Sequence, residues 1–89
     1  MGYDRKYGHV ATEFGNIGID EPVVVFRAQD ALLPSVLAFY ANECRKAGSP
    51  PRHIDLVNNT RDTVTGWQNE FPDQVRIPNS ESSRDRLPE

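Results

Sequence analysis

Arg27, Gln29 and Asp30 stand where an apolar run, Val23-Val24-Val25-Phe26, gives way to a helical pattern. A helix N-terminus offers unpaired backbone N–H groups and the positive end of the helix dipole, which together suit an anion. Arg27 would add a planar fork for phosphate or carboxylate, with Gln29 and Tyr7 completing a pocket for a small anionic ligand. The plainer reading carries more weight. In it Asp30 is a helix N-cap whose carboxylate already occupies the anion position. Arg27 then pairs with Asp20 or Glu21, and Gln29 bonds a loop carbonyl.

Other residues capable of chemistry are scattered. Residues 3–9 (Tyr-Asp-Arg-Lys-Tyr-Gly-His) alternate aromatic and basic types, which can stack on bases and track phosphates. Two cations diluted by Asp4 make a weak footprint, and an arm folded over a neighbour is the better reading. Cys44 with His9 or His53 could be drawn as a nucleophile and its base. Cys44 falls on the apolar stripe of a helix beside Tyr40, where a packed thiol is expected instead. His9, His53 and Cys44 lack metal-ligand spacing, so no metal or cofactor is expected. Asp55 and Asp62 fall on the polar side of a helix. Asp20 and Glu21 sit in turn chemistry at a loop tip and are candidates for contact with a partner. No catalytic constellation emerges, and a non-enzymatic role follows.

Composition sets the outer limits. The chain has 10 Lys+Arg against 13 Asp+Glu, a formal net charge of -3, which disfavours a protein built to neutralise nucleic acid or a membrane surface. Its single cysteine allows no internal disulfide. No apolar run approaches a membrane span and the first residues lack the apolar core of a secretory signal, so a cytoplasmic protein is the expectation.

The elements that would position these residues are short. Residues 1–8 read as a flexible arm. Residues 9–14 and 23–26 read as the strands of a β-hairpin around a Gly- and Asn-containing turn at 15–21. The 23–26 strand is apolar on both faces and needs cover on both. Residues 30–47 read as a helix from an Asp30 cap to a Gly48 stop, with Pro34 confining its start. Its apolar stripe is Leu33, Val36, Leu37, Tyr40, Cys44 and Ala47. Residues 49–71 read as a second helix with Ser49 as cap and a stripe of Ile54, Val57, Thr60, Val64, Trp67 and Phe71. A connection as short as 48–51 forces the helices antiparallel. Residues 72–89 read as a disordered tail with a short strand conceivable at 75–77. The expectation is a single α+β domain over 9–71, of ββαα order. A two-stranded sheet is marginal alone, so Val24 and Phe26 are expected at a homo-oligomer interface. Trp67 and Phe71 are read as core, and as a binding patch if left uncovered.

Tyr7-Gly8, Val10, Thr12-Glu13, Ile17, Asp20-Glu21-Pro22-Val23 and Arg27-Ala28-Gln29-Asp30, with Trp67-Gln68 closing the second helix, resemble a family of small uncharacterised proteins of actinobacteriophages. The resemblance covers residues 5–70 and departs from the family pattern at Pro34 and at Asn58-Asn59. It implies a phage origin and no activity. The expectation it leaves is an oligomeric module that engages a host protein, with a small anionic ligand or a minor place in the virion as alternatives.

Overall fold

The computed structural model describes residues 1–78. Strand β1, Gly2–Asp4, pairs antiparallel with β2, Gly8–Val10. Helix α1, Leu33–Ala47, and helix α2, Pro51–Glu70, follow, and then a 3-10 turn at Pro72–Gln74. The ββαα order and the α+β class are as expected.

The hairpin forms with a different register. Residues 1–8, read as an arm, carry its first strand and its turn, and 9–14 contribute only their first two residues to a strand. Asp4 explains the shift. One of its carboxylate oxygens accepts the N–H groups of Lys6 at 2.8 Å and Tyr7 at 2.7 Å, which folds the turn locally. Gly8 follows at φ 84°, a left-handed conformation that glycine adopts without a Cβ penalty. A loop this short closes at little entropic cost compared with the seven-residue turn required by the expected register. Phe14, within the strand expected at 9–14, lies beyond the end of β2 and is 82% exposed.

Residues 23–26 are not a hairpin strand either. The chain returns alongside β1 in parallel, on the side opposite β2. Tyr3 N–H donates to Glu21 O at 3.0 Å and Val23 N–H donates to Tyr3 O at 2.9 Å. The fit is close at Gly2, where a Cβ would lie 2.6 Å from a Val23 methyl and 3.0 Å from an Ile17 methyl.

The helices follow their signals more nearly. Pro34 stands at the start of α1, and Gly48 ends it at φ 83°, with Gly48 N–H donating to Arg45 O and Ser49 N–H to Cys44 O. Asp30 is not the N-cap, a position taken by Leu32. Its carboxylate instead accepts Leu32 N–H at 2.8 Å, shaping the turn before the helix. Pro50, not Ser49, stands at the head of α2, because Ser49 is spent closing α1. The buried residues of the helix pair are Leu33, Ala41, Cys44, Val57 and Val64. Val36, Tyr40 and Ala47, assigned to the buried stripe of α1, face outward with Thr60 of α2. Trp67 and Phe71 are half-buried, their rings 5.3 Å apart between centroids.

The start of the expected tail is tied down. Ala31 N–H donates to Arg76 O and Arg76 N–H to Gln29 O, both at 2.8 Å, so the strand considered at 75–77 is a single bridge. Gln68 of α2 reaches the same linker, its side-chain amide donating to Ala28 O at 2.9 Å and Asp30 O at 2.8 Å. The ordered unit therefore extends beyond 9–71 at both ends. The remainder of the expected tail, 79–89, lies outside the described residues.

Candidate functional site: an apolar groove with a basic rim

A groove of about 530 Å³ lies between the β1–β2 turn and the segment that leads into α1. Val24, Phe26 and Leu32 contribute exposed apolar side chains, and Arg5, Lys6 and Arg27 supply cations. Tyr7 lines it from the turn, and Pro78 from the far end of the described chain.

Its shape depends on Asp4, which the sequence reading passed over as a diluent of nearby cations. Asp4 is only 4% exposed. Its second carboxylate oxygen accepts Val25 N–H at 2.8 Å, so one side chain holds the turn and the groove floor together. Burial pushes the Asp4 carboxyl up, but the amides of Tyr7, Val25 and Lys6, with the Lys6 charge, outweigh it and hold the group below its usual value of 3.8. An aspartate followed by a glycine four residues later was the available signal for this turn. Its reach to residue 25 had none.

Of the residues singled out in the sequence, Tyr7, Val24, Phe26 and Arg27 come together in the groove. Gln29 is not among its lining residues and gives its backbone to the Arg76 bridge. Asp20 and Glu21 lie elsewhere. Asp20 meets His9 at 3.3 Å in an exposed pair, and Glu21 accepts Gly18 N–H at 3.0 Å, bracing its own loop. The helix start that suggested an anion site has no spare amides over 30–33. Asp30 N–H donates to Arg27 O, Ala31 N–H to Arg76 O, Leu32 N–H to the Asp30 carboxylate and Leu33 N–H to Asp30 O. Any anion would have to be held by the rim cations rather than by the helix end.

The remaining candidates are structural in their surroundings. Cys44 is buried between the helices. The neighbouring Cys44 thiol raises the Tyr40 pKa. His53 packs its ring edge against Tyr40 at 6.3 Å. His9 lies on β2 against Tyr3, 5.2 Å between ring centroids. Among the described residues no group of His, Cys, Asp and Glu is placed to hold a metal ion, and no helix is long and apolar enough to cross a membrane.

Compared with known proteins, the chain has no significant match to any family model, curated protein or solved structure.

Proposed function

We propose that the protein is a small non-enzymatic interaction module that acts by covering its open apolar face with other protein chains. The observation that carries this reading is the apolar character of α1 on two adjacent faces. One face, Leu33, Ala41 and Cys44, is buried against α2. The other, Val36, Phe39 and Tyr40, is exposed, Phe39 by 67%, and continues through Leu32 into the groove at Phe26 and Val24. A helix that is apolar beyond a single stripe is ordinarily buried on more than one side, and a contiguous apolar surface of this kind marks a binding site.

The reading has two parts. Self-association through the open α1 face makes the module a homo-oligomer. Engagement of a further protein through the groove is its action, and the resemblance to small phage proteins supports a partner inside the infected host cell. The burial of Cys44 away from the groove supports a role without covalent chemistry.

Native mass spectrometry of the full chain tests the first part. The expected result is an oligomer that Phe39→Asp reduces to a monomer with an unchanged helical circular dichroism spectrum. A monomer in the wild type would overturn self-association.

A further inference from the structure

The segment after α2 is a small folded unit of its own. Gln74 N–H donates to Phe71 O at 3.0 Å and Val75 N–H to Pro72 O at 3.3 Å, closing the 3-10 turn. The Arg76 guanidinium curls back over that turn, its Nη1 donating to Asp73 O at 2.6 Å and to Val75 O at 3.1 Å. These bonds all lie within residues 71–76. A different pair fastens the unit to the chain that leads into α1: Arg76 N–H donates to Gln29 O and Ala31 N–H donates to Arg76 O. Both belong to one parallel bridge, and both involve Arg76. None of residues 72–78 is buried; Val75, Arg76 and Pro78 are half-buried, and Ile77 is 61% exposed.

The linker has a second clasp. The Gln68 side chain holds Ala28 O and Asp30 O from α2, which ends three residues later at Phe71 with ψ turned to 58°. A unit with internal bonds of its own, no buried side chain and one bridge to its neighbour has the features of a segment that opens locally. We propose that residues 72–78 are a latch, hinged at Phe71, that lifts from residues 29–31 as one body. Lifting breaks the Arg76 bridge and keeps the bonds inside the turn, while Gln68 retains the linker. The groove feels the movement, because Asp30 and Leu32 line it beside the clasped residues and Pro78 lines it from the latch itself. Closed, the latch fixes the path of the chain into α1; lifted, it loosens that wall of the groove. The latch is a property of the fold and goes beyond the interaction reading, so either stands or falls without the other.

Residue-resolved amide hydrogen exchange on the full chain tests it. The Ala31 and Arg76 amides should exchange at a common rate, at least about tenfold faster than the slowest amides of α2. Arg76→Pro removes the donor to Gln29 O. It follows Val75 at ψ 133°, the extended backbone that proline favours in the residue before it. This variant should speed exchange at Ala31 by about five- to tenfold, the weight of one backbone bond. It should also shift the Leu32 methyl signals while the helical circular dichroism spectrum stays unchanged. Arg76→Ala keeps the backbone bridge and should speed exchange at Ala31 less than Arg76→Pro does. Exchange of Ala31 and Arg76 only at the rate of the α2 core would overturn the latch, as would clearly separate rates for the two amides. Unmoved Leu32 methyl signals in Arg76→Pro would overturn its coupling to the groove. Loss of the helical spectrum in that variant would show the segment to be a fixed part of the fold.

Discussion

The N-terminal region, residues 1–32, and the helical hairpin, 33–70, are held together by different physics. Among the described residues the buried apolar side chains, Leu33, Ala41, Cys44, Val57 and Val64, all belong to the helices. The buried residues of the N-terminal region are Gly2 and Asp4. The helices are therefore held by non-directional burial, the N-terminal region by directed bonds to one carboxylate and a few backbone pairings. Apolar side chains that a larger core would absorb, Phe14, Ile19, Val24 and Phe26 among them, stay outside. The region with the weaker core is the one that lines most of the groove. A segment stabilised by few buried contacts opens at low free energy and has apolar surface to offer a partner.

Removing an apolar anchor should give the largest effect. Leu33→Ala at the head of α1 is expected to cost about 3 kcal/mol in denaturant unfolding. A loss below about 1 kcal/mol would mean that the helix pair does not dominate stability. Gln68→Ala comes next, at about 2 kcal/mol, since it leaves the Ala28 carbonyl without its donor and the Asp30 carbonyl with Leu33 N–H alone. It should also raise amide hydrogen exchange in the linker at 28–31 before it does so in α2. Uniform exchange across both would show that the two regions unfold as one unit. Gly66→Ala should stabilise by about 1 kcal/mol, because a methyl there meets nothing within 4 Å and helix propensity improves. The gain should appear in the helices and leave exchange at Tyr7 and Val25 unchanged.

The smallest expected effect comes from titrating the Asp4 carboxyl, and only acid reveals it. The group is lower in the folded than in the unfolded chain, so it stabilises above the usual value of 3.8. That stabilisation falls away as pH drops through the folded value. The amide signals of Lys6, Tyr7 and Val25 should shift together in an NMR titration, with a midpoint below 3.8, while α1 and α2 signals move less. A midpoint above that value would remove Asp4 as the clamp of the groove.

The site was partly legible. Tyr7, Val24, Phe26 and Arg27 were singled out from residue type and fall in one groove, but as separate ideas: an arm, an oligomer strand and an anion site. Their convergence depends on the Asp4 bond to Val25, across 21 residues of sequence. Val23-Val24-Val25-Phe26 was read as a strand from β propensity. Only its first residue pairs with the β1 backbone, Val23 N–H donating to Tyr3 O, and propensity carries no information about which edge finds a partner.

What the sequence determined by itself is local. Pro34, Gly48 and the Pro50-Pro51 pair delimit the helices because proline and glycine act on their own backbone and its nearest turn. The 3-4 spacing announces two amphipathic helices because side chains that close in sequence share a face. Tertiary structure decided which apolar face of α1 is buried, which residues pair in the hairpin and which residues line the groove. Each of these is a choice between surfaces or registers of similar local energy. The choice is made by contacts between distant residues: Ala41 and Cys44 against α2, Val23 against Gly2, and Val25 on Asp4.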